Sequence, residues 1–176
     1  MMSDRLLRIL LALLGAIAVH LGYVLFMPGR EMDGIITRFA AAHRDHAFVL
    51  LAPEAARDHF QADLPGMATA ACSLDASGGP VVVETQIPAP YWIISLYSGR
   101  GELLFTLDDR QAGPDRARFV LAQPGDGADV PAAGTISVEL PSARGLALVQ
   151  ARANGPEDMA RLRAALANST CRPQRP

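Results

Sequence analysis

The sequence predicts a mainly β, α+β protein. An N-terminal transmembrane helix leads into an antiparallel β-sandwich or barrel-like domain with a C-terminal helix packed on it. Three observations carry this. Residues 9–27 hold no charge. Short apolar runs then recur at close intervals with Gly, Pro, Asp and Ser between them, the pattern of an all-β domain. The chain closes on an amphipathic segment after Asn154-Gly155-Pro156.

The charge-free run, ILLALLGAIAVHLGYVLFM, has nineteen positions, which reach about 28 Å as a helix, near a bilayer's hydrocarbon thickness. Arg5 and Arg8 precede it, and Tyr23 lies near its far end, where an interfacial aromatic belongs. The rival reading is a cleaved signal peptide, for which Ala16-Ile17-Ala18 offers a small-x-small site. Apolar residues run nine positions past that site, which favours an uncleaved anchor. Arg30, Arg38 and Arg44 follow the span, so the charge count does not orient it. The short basic tail, residues 1–8, favours a cytoplasmic N-terminus. His20 within the span reads as a neutral imidazole near the outer interface rather than as a ligand. Ala12, Gly15, Ala16 and Gly22 form a small-residue stripe suited to packing on another helix. The bilayer is thus the expected partner of residues 9–27, and a membrane protein a further one.

A connector spans residues 28–66. Pro28-Gly29 is expected to break the span. Residues 31–42 read as a short amphipathic helix with Met32, Ile35, Ile36 and Phe39 on one side. His43, Asp45, His46 and His59 are the one grouping with metal-ligand residue types. They lack the glutamate spacing of a zincin motif, so no metal is assigned. Residues 48–51 read as a short strand, and 53–60 as a helical turn or two with Pro53 at its start.

The β domain, 67–176, contains strands at 68–74, 81–86, 91–98, 102–109, 117–122, 135–140 and 145–153. The central hairpin, 88–110, holds the single Trp and the clearest alternation. With Tyr97 opposite Glu102, its register places Trp92, Ile94, Leu96, Leu103, Phe105 and Leu107 on one apolar face. The other face carries Tyr91, Ile93, Ser95, Tyr97, Glu102, Leu104, Thr106 and Asp108. Ser98-Gly99-Arg100-Gly101 forms the turn, with two residues free to take positive φ. Residues 123–133 are a loop. In the closing helix Pro156 stands at N1, Glu157 and Asp158 suit the first turn, and Met159, Leu162 and Leu166 share one face. It ends near Asn168, ahead of Cys171.

The net charge is −2 and all 16 basic residues are Arg. Near-neutrality implies no nucleic-acid partner. The only cysteines, Cys72 and Cys171, read either as a disulfide or as a buried and an exposed thiol. An oxidising compartment favours the bridge, because an exposed free thiol does not persist there.

These residues also carry a family resemblance. Ala71-Cys72-Ser73-Leu74-Asp75, Gly79-Pro80-Val81, Pro90-Tyr91-Trp92, Ser95-Leu96-Tyr97, Gly101, Phe105, Leu107-Asp108-Asp109-Arg110, the run 144–149 and Cys171 resemble the DUF1254 family of bacterial membrane-associated proteins of unknown function. The resemblance covers most of the chain after the span. It implies a single-span protein of the bacterial inner membrane, its N-terminus cytoplasmic and its C-terminal domain periplasmic. It brings no catalytic residue and no cofactor.

Three functional readings follow. The first is a membrane-anchored, non-enzymatic accessory subunit of a membrane assembly. The second is a small-ligand-binding domain using Tyr91, Tyr97, Asp108 and Arg110. The third is a hydrolytic or metal-dependent enzyme, for which Asp108 and Asp109 are the paired carboxylates. A solvated strand end explains those carboxylates more simply, so no residue is assigned as catalytic.

Overall fold

The computed structural model describes residues 4–43, 46–60, 66–87, 91–112, 116–126 and 134–174. In chain order the elements are α1 (Asp4–Ala42), β1 (Val49–Leu50), α2 (Pro53–Phe60), β2 (Met67–Asp75), β3 (Val81–Thr85), β4 (Trp92–Ser98), β5 (Leu103–Asp108), α3 (Asp109–Ala112), β6 (Ala117–Ala122), β7 (Thr135–Glu139), β8 (Arg144–Arg152), α4 (Pro156–Ala167) and β9 (Thr170–Pro173). The strands form a five-stranded sheet, β1-β2-β8-β4-β5, and a four-stranded sheet, β7-β6-β3-β9. The fold class is the one expected: a long apolar N-terminal helix, two sheets and a C-terminal helix.

Alternation places the core between the sheets. Ala70, Cys72 and Leu74 of β2, Ile94 and Leu96 of β4, and Ala147, Val149 and Ala151 of β8 meet Val81, Val83, Phe119, Leu121 and Val138 of the second sheet. Leu162 and Leu166 of α4 join this core, with Met159 partly buried against it. The opposite face of the first sheet is also covered. Ile36 and Phe39 of α1 and Ala56 of α2 pack on Ala71, Leu146 and Leu148. β2 and β8 are therefore buried on both faces, which explains their near-continuous apolar and small residues. The Cys72–Cys171 disulfide joins β2 to β9 and so ties one sheet to the other.

The structure corrects several expectations. Pro28 does not break the chain: α1 runs unbroken from Asp4 to Ala42. Proline in a helix interior costs roughly 3 kcal/mol. Burial of Ile36 and Phe39 beyond it, at 0 % exposure, contributes about 1.5–3 kcal/mol for each side chain and offsets that cost. The second sheet is not wholly antiparallel, because β6 and β7 pair in parallel, Phe119 opposite Ile136. Their connection, residues 123–134, is long enough to return the chain to the starting end. Cys171 lies on edge strand β9, antiparallel to β3, a strand the sequence did not indicate. Pro173 fits that edge, where no N–H is needed.

The hairpin register is displaced by two residues from the expected one: Ile94 pairs with Leu107 and Leu96 with Phe105. A shift of two preserves the faces, so Trp92, Ile94, Leu96 and Leu107 are buried as expected. An irregularity between Leu96 and Tyr97 then offsets the ladder by one, placing Leu103 opposite Tyr97. Leu103 is consequently 57 % exposed, while Leu104 packs on the inter-sheet core in its place. Within the turn it is Gly101 that takes positive φ, 84°. Ser98 Oγ accepts hydrogen bonds from the Arg100 and Glu102 amides.

At Gly145 β8 runs close against its neighbours. A Cβ there would lie 2.8 Å from the Tyr97 carbonyl oxygen and 3.0 Å from Leu140 Cδ1. Gly145→Ala is expected to destabilise the domain by about 1–3 kcal/mol through overpacking. Gly78→Ala, with open space around the added carbon, serves as the control. Equal denaturation midpoints for the two variants would contradict the packing described.

Candidate functional site

Of the four residues expected to share a ligand site, Tyr97 stands apart. Asp108 pairs with Ile93, two positions from Tyr91, whereas Tyr97 lies near the far end of β4, six residues from Tyr91, or about 20 Å along a strand. Tyr91 is exposed and its carbonyl accepts from the Arg152 amide. Tyr97 is half-buried and packs against the cluster that Ile36 and Phe39 of α1 form with Ala71, Leu146 and Leu148. Its ring is therefore part of the helix seat. Asp108 accepts from the Arg110 and Gln111 amides at 3.1 and 2.9 Å. That makes it the N-terminal cap of α3, for which Asp is well suited, and leaves Arg110 exposed.

His43 and His59 approach each other through a phenylalanine. Their rings lie 4.8 and 6.4 Å from the ring of Phe39, with Phe60 at 6.1 Å. This is an aromatic cluster closing the end of α1. Asp45 lies outside the described residues. Among the described residues no three His, Cys, Asp or Glu side chains gather as metal ligands.

Two carboxylates are held below the ordinary range. Asp75 is lowered first by its hydrogen bonds to Ser77 and then by the charges of His46 and Arg144. Asp158 is lowered by the Asn154 amide and by Arg161. A depressed native pKa contributes stability that is present above the unfolded value and lost as pH falls through the native one. Both contributions are expected to be complete at neutral pH and to fade below the ordinary aspartate value of 3.8. Asp75→Asn should flatten the acid limb of a stability–pH curve; an unchanged limb would show that Ser77 does not favour the ionised form.

A groove that the sequence reading did not single out lies on the outer side of β3, β6 and α4. It encloses about 670 Å³ and is lined by Glu84, Thr85, Gln86, Arg116, Arg161, Ala164, Ala165 and Asn168. Antiparallel pairing sets Glu84 opposite Arg118 in β6 and Thr170 in β9. Arg116 Nη1 lies 3.2 Å from Glu84 Oε1, and Arg118 Nη1 lies 3.8 Å from Oε2. Arg172 borders an adjoining hollow that shares Glu84 and Arg118. Two guanidinium groups thus flank one carboxylate and a third borders the same hollow, an excess of positive charge that suits an anion. The signal in the sequence was Arg116-x-Arg118, whose period of two turns both side chains to one face.

The junction between α1 and the sheet is the most built surface outside the cores. Arg144 Nη1 reaches Asp33 Oδ1 at 3.2 Å and Thr37 Oγ1 at 3.0 Å. A Cβ on Gly101 would lie 3.5 Å from Met32 Cβ and 3.6 Å from the Pro28 carbonyl oxygen, and one on Gly29 would lie 3.8 Å from the Arg100 backbone. N-terminal to this contact, α1 stands clear of the domain. Leu14, Val19, Leu25 and Phe26 are each more than 60 % exposed, and α1 is long and apolar enough to cross a membrane. The small-residue stripe lies on this free part; Gly15 and Gly22 have nothing within 4 Å of an added Cβ.

Comparison with known proteins places the β domain. A family model described as protein of unknown function (DUF1254) matches residues 49–173. Among solved structures, the VPA0106 protein from Vibrio parahaemolyticus is similar with a TM-score of 0.64 and 16% identity, covering 85% of this chain and 36% of that one. A putative uncharacterized protein from Burkholderia cenocepacia aligns with a TM-score of 0.49 and 12% identity, over 69% of this chain and 36% of that one. The first likeness shows the shared fold. The chain spans about a third of the length of these two structures. No curated protein matches it.

Proposed function

The chain belongs to the DUF1254 family of unknown function, and on that premise we propose that it is a membrane-anchored accessory subunit whose β domain stands on the outer side of the bacterial inner membrane. One observation carries this reading. A single helix has a free apolar half, exposed throughout residues 9–19, and a second half whose Ile36 and Phe39 are buried against the domain. Such a surface is stable when lipid covers it. The Cys72–Cys171 bridge supports an oxidising compartment for the domain.

The test uses the full chain in a bacterial host. It is expected to stay with membranes through an alkaline carbonate wash, and its domain to be digested by protease added outside spheroplasts. A soluble product lacking the first eighteen residues would show a signal peptide cleaved after Ala18. The accessory role predicts co-migration with a larger assembly in mild detergent. Monomer alone from several detergents counts against it.

A second reading, small-ligand binding, is favoured by the arginine groove. Arg116→Glu with Arg118→Glu is expected to abolish any affinity for carboxylate or phosphate compounds there while leaving the unfolding free energy within about 1 kcal/mol, since both arginines are exposed. Isothermal titration of both proteins against citrate and phosphate decides it, and no binding to the parent chain removes this reading.

A further inference from the structure

We infer that the β4–β5 turn is a second membrane contact, with Arg100 on a lipid phosphate and Leu103 beside it in the interfacial layer, so that the domain is laid against the bilayer at a fixed angle. The inference rests on the anchored reading of α1.

Distance along α1 places the turn. The charge-free run 9–27 has its centre at Ala18. Gly29 lies eleven residues further, about 16 Å at 1.5 Å per residue, and Met32 about 21 Å. The hydrocarbon half-thickness is about 15 Å, and the headgroup layer extends to roughly 20–22 Å from the midplane. The turn touches α1 within this interval: a Cβ on Gly29 meets the Arg100 backbone at 3.8 Å, and one on Gly101 meets Met32 Cβ at 3.5 Å. The backbone of residues 100 and 101 therefore lies at headgroup depth.

The turn is also held there. Ser98 Oγ accepts the Arg100 and Glu102 amides and donates to Glu102 Oε2. The Gly99 amide donates to Ser142 Oγ, and that hydroxyl donates to the Arg144 carbonyl. Arg144 in turn holds Asp33 of α1. The hairpin tip is thus tied to the 142–144 turn, whose Arg144 also reaches α1.

Its exposed side chains suit the environment. Arg100 is exposed and takes part in no ion pair among the described residues, and Arg30, one position past Gly29, is exposed as well. The nearby carboxylates of Glu102 and Asp33 are turned onto Ser98 and Arg144, leaving Glu31 as the remaining acidic neighbour. A guanidinium binds phosphate in bidentate fashion. Leu103 pairs with Tyr97, and cross-strand partners share a face. Leu103 thus stands on the α1 side of the sheet, exposed because of the offset in the ladder. An apolar side chain beside an arginine at this depth is the composition of an interfacial contact.

The experiment reconstitutes the full chain in vesicles of phosphatidylethanolamine and phosphatidylglycerol, with a nitroxide on single added cysteines; the native bridge leaves no other free thiol. The sites are Arg100→Cys, Leu103→Cys, Val19→Cys in the free half of α1 and Ser137→Cys on the exposed side of β7. Expected are a hydrocarbon signature at position 19, full access of a water-soluble relaxation agent at 137, and several-fold reduced access at 100 and 103. Access at 100 and 103 equal to that at 137, with 19 in hydrocarbon, overturns the inference and leaves the anchor standing. Water access at 19 overturns both.

Discussion

Replacing Cys72 and Cys171 together with alanine is expected to cost about 4–5 kcal/mol of stability. The two residues are 99 positions apart, and in the chain-entropy model closing a loop of that length restricts the unfolded chain by about that much. A domain of this size holds only about 5–15 kcal/mol in all, so the loss removes a large share of it. The effect should be local before it is global. β9 has four residues and pairs only with β3, so the bridge is its covalent tie to the other sheet. Hydrogen exchange should show 170–173 losing protection first, followed by α4, whose Leu162 and Leu166 share the core with Cys171. Denaturation with and without reductant gives the magnitude. Coincident curves would mean that sheet packing alone holds the two halves together.

Phe39→Ala carries the second large effect. Phe39 is fully buried and contacts the rings of His43, His59 and Phe60. Truncating such a residue typically costs about 3–5 kcal/mol through lost contacts and the cavity left behind. Here the loss falls on the contact between 31–42 and the sheet. The exposed Arg144–Asp33 pair adds little to hold them. Exchange protection in 31–42 should therefore fall more than in β2 or β8, which remain covered on their inter-sheet face. Equal loss throughout would show that α1 unfolds only with the whole domain.

The sequence made the two-sheet core legible because alternation survives a register error of two. Trp92, Ile94, Leu96 and Leu107 were placed correctly although their partners were not. Leu103 was misplaced because the offset that exposes it depends on the hydrogen bonds of Ser98, which no hydrophobic pattern records. The direction of β7 was hidden for a related reason: alternation is the same in a parallel and an antiparallel strand. β9 is too short to show alternation at all. Pro28 misled as a local signal, because packing eight to eleven residues later decides whether the helix continues. Tyr97 looked available because 31–42 had been read as a separate short helix after a break at Pro28, with nothing to seat it on Tyr97. The arginine groove needed three strands and a helix to be brought together before its charge could be counted.

The unbroken course of α1 through Pro28 has a consequence for encounters. A domain on a flexible tether samples many heights and attitudes, and a partner must wait for the right one. With 9–27 in the bilayer as proposed, this domain has no such freedom. It can diffuse laterally and spin about the membrane normal, while every surface patch keeps its altitude. A partner held at the matching altitude meets it in a planar search, having lost beforehand part of the rotational freedom that association otherwise removes. Weak contacts of modest area then suffice for association.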